Sequence, residues 1–519
     1  MKFKVSMWMT IVALFTAVTM PVSLAAQDKA KQDQPPKHHH YKLIDLGTLG
    51  GPGSFPVGGS RDINLSGLAT AEADTSIPDP YAPNCLQSSC LVDHAITWQN
   101  GIQTDLGALP GGNNSSIPLW INDQGNIVGF SENGVIDPLT GNPETIAVLW
   151  KEGKIFGLGT LGGNASYAFA INNRGQVVGG ALNTISESNA NGLLAGGFPV
   201  VPFSVATQIR AFFWQDGVMH DLGTLGSGND AAALFVNDLG QVSGISFTNT
   251  TPNATTGNPT QDPFFWEDGK MVDIGNLGGT LGFVNWMNNR GQVVGSSTVA
   301  GDQTDRPYLW DKEKGLQDLG LFPGGVHGNA EGINDAGEVV GGSDSSNGFH
   351  AFLWKKGVMT DLGNLAGDCS SQANSINSQG QIVGSGSLDC NNEAHAILFE
   401  NGGVPIDLNT LVLPGSGVTI LNANNINDRG EIVGFGVLTN GDGHAALLIP
   451  CDENHAGVED CDFDTVDAET AAQVRPAQIT QPSAASSFAN LSPAERIARF
   501  RSVMANRNRR FGVPQTAPK

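Results

Sequence analysis

The stretch SYAFAINNRGQVVGGA, residues 166–181, decides the fold of this 519-residue chain because its pattern recurs along the sequence. Related copies read NAEGINDAGEVVGGS, QANSINSQGQIVGSG and NANNINDRGEIVGFG. In each copy an apolar run leads into Ile-Asn, an N-x-x-G turn reverses the chain, and a second apolar run follows. The glycine is expected at a positive φ, which residues with a Cβ rarely adopt. The repeated Asn occupies eight positions: Asn64, Asn122, Asn172, Asn237, Asn288, Asn334, Asn377 and Asn427.

A second phrase, HAFLWKKGVMTDLGNLAG at residues 350–367, adds two more strands to each repeat. The eighth copy of this phrase, HAALLIP at residues 444–450, has no aromatic residue. Four short strands in about 45 residues are typical of a β-propeller blade. The aromatic position of the phrase is occupied by Trp98, Trp150, Trp214, Trp266, Trp310, Trp354 and Phe399.

The two ends of the repeat region complement each other. The first repeat begins with YKLIDLGTLGG at Tyr41, which is only a fourth strand, and the last repeat stops after its third strand at Pro450. Pairing these strands would remove the edges that an open array exposes. We therefore predict an all-β chain folded as an eight-bladed β-propeller of four-stranded blades, closed by the N-terminal strand, and favour it over a β-solenoid.

The INxxGxxVG and HAFLW…DLGTLGG phrases resemble the HAF repeat, a bacterial family described as probable extracellular repeats. The resemblance covers residues 41–450 and is specific because both phrases recur in order. The chain departs from the pattern at Val236 and Ser243 in the fourth copy and at Gly157 in the third. The resemblance implies an extracellular location and a repeat architecture, and it implies no chemistry.

The sequence outside the repeats predicts an export signal at the N-terminus and several non-repeat segments after the propeller. Lys2 and Lys4 precede an apolar run at residues 7–20, and small residues up to Ala25 follow, which indicates a signal peptide at 1–25 rather than a membrane span. We expect a secreted protein, periplasmic or extracellular, with no transmembrane segment after signal cleavage. The predicted domains are a flexible leader at 26–40, the propeller at 41–450, an acidic disulfide-stapled extension at 451–467, a linker at 468–491, a basic amphipathic helix at 492–510 and a tail at 511–519.

Charge and cysteine usage limit the possible partners. The net charge of −23 argues against nucleic acid, whose phosphates such a surface would repel. The six cysteines fall into three local pairs, which fits disulfides in an oxidising compartment better than zinc ligation. The predicted pairs are Cys85 with Cys90, Cys369 with Cys390, and Cys451 with Cys461. No cofactor and no metal are expected.

Length variation lies between the second and third strands of the repeat. The repeat Asn and the aromatic position are 20 residues apart from Asn334 to Trp354 but 42 residues apart from Asn172 to Trp214. In a propeller these loops share one face with the connections between blades, and variable loops on a rigid scaffold are where binding residues usually lie. The candidate binding residues on this loop-rich face are Asn113, Asn114, Asn164, Tyr167, Asn229 and His327.

Several repeated residues have a structural as well as a functional interpretation. The histidines His94, His350, His395 and His444 stand at one repeat position, where a repeated hydrogen bond is favoured over a metal site. The aromatic series is expected to pack between blades rather than to stack on sugars. The Asn-Asp turns lack the ligand series of calcium loops, although weak calcium binding is conceivable in the acidic stretch 451–467.

The sequence contains no recognisable serine-nucleophile motif, pair of catalytic acids or phosphate-binding glycine loop, so no catalytic residue is predicted. The first functional hypothesis is a non-enzymatic binding or scaffold protein of the cell envelope or extracellular space, whose partner is a glycan, a peptide or a protein. The alternative is a propeller enzyme, a glycan hydrolase or lyase, with carboxylates on the loop-rich face.

Overall fold

A computed structural model gives the fold of residues 37–467, except residues 58, 88, 255, 188–192, 196–197, 200–204, 388–393 and 401–403. The predicted signal peptide, most of the leader, the linker, the C-terminal helix, the tail and Cys390 lie outside the described residues. Within the described part, helix is limited to two short 3-10 turns, Leu408–Thr410 and Glu453–His455. No helix among those residues is long and apolar enough to cross a membrane.

Thirty-two of the strands form eight four-stranded antiparallel units in the described part of the chain, and a single parallel bridge joins units 4 and 5 and another joins units 6 and 7. Two N-terminal strands come first, β1 (Lys37–His39) and β2 (Tyr41–Asp45). Unit 1 contains β3 (Gly50–Phe55), β4 (Ala69–Pro78), β5 (Leu91–Gln99) and β6 (Ile102–Asp105). Unit 2 contains β7 (Ser116–Ile121), β8 (Ile127–Ile136), β9 (Pro143–Lys151) and β10 (Lys154–Gly157).

Units 3 to 5 continue in the same order. Unit 3 contains β11 (Ser166–Ile171), β12 (Val177–Ser186), β15 (Thr207–Gln215) and β16 (Val218–Asp221), with the short hairpin β13 (Leu194–Ala195) and β14 (Phe198–Pro199) inserted. Unit 4 contains β17 (Ala231–Val236), β18 (Val242–Phe247), β19 (Gln261–Glu267) and β20 (Lys270–Asp273). Unit 5 contains β21 (Gly278–Met287), β22 (Val293–Val299), β23 (Asp305–Asp311) and β24 (Gly315–Asp318).

The last three units include the N-terminal strand. Unit 6 contains β25 (Gly328–Ile333), β26 (Val339–Ser345), β27 (Gly348–Lys355) and β28 (Val358–Gly363). Unit 7 contains β29 (Ser370–Ile376), β30 (Ile382–Ser387), β31 (Ala394–Phe399) and β32 (Ile406–Asp407). Unit 8 contains β33 (Val418–Ile426), β34 (Ile432–Leu438), β35 (Gly443–Pro450) and, as its fourth strand, β2. The final strand is β36 (Thr465–Asp467).

The turn between the first and second strands is built by the repeated Asn. In unit 2, Asn122 Oδ1 accepts hydrogen bonds from the backbone N–H groups of Gln124 and Asn126, at 3.1 and 2.9 Å. Gly125 has a φ of 79°, as the sequence predicts for the glycine of this turn. A residue that caps its own turn in this way fixes where each hairpin reverses.

The same Asn side chains also connect neighbouring units. Each Nδ2 donates to the backbone carbonyl of the next repeat Asn, at distances between 2.8 and 3.2 Å. The donor and acceptor pairs are Asn64–Asn122, Asn122–Asn172, Asn172–Asn237, Asn237–Asn288, Asn288–Asn334, Asn334–Asn377, Asn377–Asn427 and Asn427–Asn64. These buried amides therefore satisfy both a turn and an inter-unit contact.

Aromatic residues of the third strands pack between units, as the sequence predicts. The Phe213 ring of unit 3 lies 5.5 Å from the Trp266 ring of unit 4, measured between centroids. Phe265 of unit 4 lies 4.9 Å from Trp310 of unit 5 in the same way. Four-stranded units packed face to face on such residues are the architecture of propeller blades. The all-β, repeat-built part of the prediction is confirmed.

The N-terminal strands lie beside the C-terminal part of the described chain. Strand β2 pairs antiparallel with β35, so that Tyr41 faces Pro450 and Asp45 faces Ala446. Strand β1 pairs with β36. The expected flexible leader therefore ends before Lys37, because His38 is only 3% exposed and its Nδ1 lies 2.6 Å from Glu400 Oε2.

Two of the predicted disulfides are present. Cys85 is bonded to Cys90 and Cys451 to Cys461, each with a Cα–Cα distance of 5.3 Å. Cys369 is also disulfide-bonded, whereas its predicted partner Cys390 lies outside the described residues. Disulfides of this kind persist in oxidising compartments.

Candidate binding surfaces

Each unit has two different ends. The tight N-x-x-G turns and the turns between the third and fourth strands lie at one end, which we call the turn end. The connections between the second and third strands and those between units lie at the other, which we call the loop end. At the loop end, the connection between the second and third strands is shortest in unit 6, at residues 346–347, and longest in unit 3, at residues 187–206. Most of the length variation therefore lies at the loop end; at the turn end, the connection between the third and fourth strands has two or three residues except in unit 7, where it spans residues 400–405.

The predicted binding residues come from corresponding positions in different units, and the structure does not bring them into one pocket. Asn113 is exposed just before β7. Its neighbour Asn114 is 1% exposed, and its Nδ2 donates to the Leu109 carbonyl at 2.8 Å. The side chain of Asn114 thus holds the loop together instead of facing solvent.

Three more of the predicted residues form hydrogen bonds with carboxylates of neighbouring connections at the loop end. Asn164 Nδ2 donates to Asp137 Oδ1 at 2.8 Å. Asn229 Nδ2 donates to a carboxylate oxygen of Glu187. His327 Nδ1 lies 2.5 Å from an oxygen of Asp305. These side chains link neighbouring connections and shape the loop end.

The structure corrects the predicted placement of Tyr167 among the binding residues of the loop-rich face. It is 2% exposed, and its ring meets the Phe130 ring edge-on at a centroid distance of 5.2 Å. Burial raises the pKa of its hydroxyl above the usual range. Tyr167 lies in β11, where residues alternate into the packing between units, so a ligand has no access to it.

The repeated histidines make the repeated hydrogen bond that the sequence predicts. The Nδ1 atoms of His94, His350 and His444 lie 3.0, 2.9 and 2.8 Å from carboxylate oxygens of Asp105, Asp361 and Asp45. Asp105 and Asp45 end the fourth strands of their units, and Asp361 lies two residues before the end of the fourth strand of unit 6. In units 3 and 5 Arg210 and Arg306 replace the histidine and pair with Asp221 and Asp318. His395 pairs instead with Asp368, at 2.6 Å. The described residues contain no group of three or more His, Cys, Asp or Glu side chains placed to hold a metal.

Buried carboxyl groups are concentrated under the loop at residues 79–90, at the loop end of units 1 and 2. Asp74 and Asp93 are opposite each other on β4 and β5 and are 3% and 1% exposed. Burial, followed by the hydrogen bond and the charge of Asp74, raises the pKa of Asp93. Burial also raises the pKa of Glu132 to about 8, although the Ser115 N–H donates to it. These groups are protonated more readily than free carboxyls, and the chain covers them.

Sequence analysis missed a feature of the first strands, β3, β7, β11, β17, β21, β25, β29 and β33. In seven of them, all but β3, the register shifts at a bulge three residues before the repeat Asn. A bulge re-aims the extra side chain away from the sheet. Reading the residues five, three and two places before the Asn across repeats, rather than along one repeat, would have shown the pattern described next.

Those positions are apolar in units 2 to 4 and mostly polar in units 6 to 8. The apolar set is Ile117, Leu119, Trp120, Tyr167, Phe169, Ala170, Ala232, Leu234 and Phe235. The polar set, with Gly332 as its one exception, is Asn329, Glu331, Gly332, Gln372, Asn374, Ser375, Asn422, Asn424 and Asn425. Unit 5 combines both types in Phe283, Asn285 and Trp286. We call the apolar set, together with Phe283 and Trp286 of unit 5, the aromatic wall. We call the polar set, which Asn285 of unit 5 adjoins, the amide wall.

The aromatic wall joins units that are not neighbours in sequence. Trp120 of unit 2 lies 5.1 Å from Trp286 of unit 5 and 5.8 Å from Phe235 of unit 4, between ring centroids. Phe235 and Trp286 are 5.7 Å apart. The first strands of units 2, 4 and 5 therefore approach one another, with these three rings in contact between them.

Side chains of the amide wall form a relay of hydrogen bonds. Asn374 Nδ2 donates to Asn422 Oδ1 at 2.9 Å, and Asn422 Nδ2 donates to Asn424 Oδ1 at 2.6 Å. At the junction of the walls, Asn285 Nδ2 donates to the Ala330 carbonyl at 2.8 Å. These contacts orient the amides before any ligand arrives.

Comparisons with known proteins were made for the whole chain. No protein-family model and no curated protein matches it. Among solved structures, the acylaminoacyl peptidase of Pyrococcus horikoshii is 12% identical, with a TM-score of 0.35 over 66% of this chain and 51% of the peptidase. The chain therefore spans about half the length of that enzyme.

Two further solved structures resemble the chain to a similar degree. The β-propeller domain of the trilobed protease from Pyrococcus furiosus is 9% identical, with a TM-score of 0.38 over 71% of this chain and 98% of the domain. Dipeptidyl peptidase 4 of Porphyromonas gingivalis is 8% identical, with a TM-score of 0.42 over 83% of this chain and 61% of the enzyme. These TM-scores are too low to carry a conclusion about function.

Proposed function

We propose that the eight units are the blades of one closed β-propeller and that the protein is an exported, non-enzymatic binding or scaffold protein. The relay of repeat Asn side chains supports the closed ring, because Asn427 donates to the Asn64 carbonyl at 2.9 Å across 363 residues of sequence. The pairing of β2 with β35 supports it as well, since it supplies unit 8 with a fourth strand. The motif resemblance to HAF repeats fits this proposal.

Disulfides support the proposed location outside the cytoplasm. Cys85–Cys90 and Cys451–Cys461 close loops on the surface of the repeat region. Thiols in the cytoplasm are kept reduced, so such bonds fit a periplasmic or extracellular protein.

The loop end is the proposed binding surface. One observation carries this proposal: the connections at the loop end differ in length from unit to unit, whereas the turn end repeats the same Asn-centred hydrogen bonds. A uniform scaffold with most of its length variation at one end is typical of binding proteins, because the loops can change without disturbing the core. A glycan, peptide or protein is the proposed class of ligand.

The enzyme alternative draws on the carboxyl groups with raised pKa values under residues 79–90. A general acid needs a pKa near the working pH, and Glu132 meets that condition. It must also reach the substrate, and Glu132 is 0% exposed. The buried position therefore favours a binding protein over a glycan hydrolase or lyase.

Binding and turnover can be measured on the same material. Full-length protein is applied to a glycan array and a peptide library, and each bound compound is then incubated and examined by mass spectrometry. We expect selective binding without product. Replacing the connections 137–142 and 248–260 by the short Ser346-Asn347 connection should abolish binding, whereas the turn-end variant Lys270→Ala should retain it. Product formation, or equal loss of binding in both variants, would contradict the proposal.

A further inference from the structure

The interior between the first strands has the composition of a ligand site rather than of a core. The aromatic wall in units 2 to 4 is largely buried, with Phe169 only partly so, and Trp286 of unit 5 is also only partly buried. On the amide wall Glu331, Gln372, Asn422 and Asn424 are also only partly buried. An interior that served packing alone would continue the apolar residues of units 2 to 4 around all eight units.

Hydrogen-bonding capacity remains on the amide wall. The relay from Asn374 through Asn422 ends at Asn424, which accepts the last bond through its Oδ1.

The charges exclude several ligand classes. Arg61, at the corresponding position of unit 1, is paired with Asp123 of unit 2. Glu331 adds a carboxylate to the amide wall, and the whole chain carries a net charge of −23. An anionic ligand would therefore meet repulsion, whereas a neutral ligand would meet amides that both donate and accept.

We propose that the amide wall and the adjoining Trp286 form a second binding site, inside the ring, for a neutral saccharide. Hydroxyl groups donate and accept in turn, as the partly buried amides of Asn422 and Asn424 require. The C–H face of a sugar ring is apolar and matches the indole of Trp286, which neighbours Asn285 at the junction of the two walls. This proposal rests on the closed ring proposed above but does not depend on the loop end.

The site can be tested with full-length protein and a panel of neutral hexasaccharides built from glucose, mannose or N-acetylglucosamine. An anionic hexauronate and a hexapeptide with blocked ends serve as comparison ligands. Calorimetry should detect at least one neutral hexasaccharide with a Kd below about 1 mM. Asn424→Ala should weaken that binding by about tenfold, the loss of one hydrogen bond. The exposed turn-end variant Lys270→Ala should leave it unchanged.

A second variant protects the test against misfolding. Trp286→Leu keeps an apolar side chain but removes the stacking surface, so it should weaken saccharide binding and abolish part of the tryptophan fluorescence change on binding. Both variants must melt cooperatively near the wild-type temperature. If a variant unfolds, Glu331→Gln replaces it, and we expect this change to admit the hexauronate that the wild type excludes.

Several results would overturn the inference. These are the absence of binding to every neutral hexasaccharide, binding that is equal in wild type, Asn424→Ala and Trp286→Leu, and binding of the blocked hexapeptide alone. Saccharide binding that disappears when the connections 137–142 and 248–260 are shortened, but survives Asn424→Ala, would place the ligand at the loop end. That outcome would overturn the interior site and leave the proposed function standing.

Discussion

At the scale of single residues, the repeat Asn has two structural contacts that explain its recurrence. Asn122 is 0% exposed; its Oδ1 accepts two backbone N–H groups of its own turn and its Nδ2 donates to the Asn172 carbonyl at 3.0 Å. Asp has a similar size, but its ionised carboxylate has no donor for the Asn172 carbonyl and would bring a buried charge.

Replacing Asn122 by Ala should lower the free energy of unfolding by about 2–4 kcal/mol, because buried donors and acceptors lose their partner. Urea denaturation followed by tryptophan fluorescence measures the change. The exposed Asn113→Ala is the matched control and should change stability by less than about 0.5 kcal/mol. Equal effects of the two substitutions would show that the Asn contacts are not structural.

Glu132 gives a pH-dependent prediction. Its pKa rises from 4.5 to about 8 on folding because of burial, so the folded state retains a proton that the unfolded state releases. Stability should therefore fall as the pH rises from 4.5 towards 8 and change no further from this group above that range. Glu132→Gln, which keeps an acceptor for the Ser115 N–H, should remove this dependence and stabilise the protein at neutral pH.

Denaturation midpoints of the wild type and Glu132→Gln across this pH range test the prediction. The difference between the two proteins should grow with pH up to about 8. A difference that stays constant, or a variant that is less stable at neutral pH, would mean that Glu132 is charged in the folded protein.

At the scale of strands and turns, local sequence patterns predicted the elements whose contacts are local. The N-x-x-G turns, the His–Asp pairs and the aromatic packing all follow from residues repeated within one unit. The sequence did not predict strand β1, because its contacts are distant in sequence: His38 pairs with Glu400, 362 residues away. Tyr167 was misplaced because a tyrosine near a loop looks accessible until the packing of β11 on unit 2 is known.

Strand β2 leads to a prediction about truncation. Tyr41 and Leu43 are 3% and 6% exposed and pack in the core of unit 8. Deleting residues 1–45 should destabilise the protein by at least about 4 kcal/mol and expose β35 as an edge that promotes aggregation. Deleting residues 1–36 is the control and should have little effect on the melting temperature. Both truncated chains are produced with the same foreign signal peptide in place of the deleted residues.

Thermal melting and light scattering of the two truncations decide between the outcomes. Similar melting temperatures for both would show that β2 contributes little to unit 8. That result would remove one of the two supports for a closed ring.

At the scale of the whole molecule, the eight similar units of the proposed ring surround an interior that is not symmetric. The amide and aromatic walls divide it, with unit 5 at one junction and Arg61 of unit 1 at the other. The repeat pattern predicted the units, because every repeat needs the same turn and packing residues. It did not predict the division, because the interior residues vary between repeats and constrain no single strand.

The most direct test of the account is an experimental structure of the full-length protein, by crystallography or electron cryo-microscopy. The account predicts eight four-stranded sheets around one axis, with Tyr41–Asp45 paired to Gly443–Pro450 and Asn427 donating to the Asn64 carbonyl. A different number of sheets around the axis, or density that separates Tyr41–Asp45 from Gly443–Pro450, would contradict it.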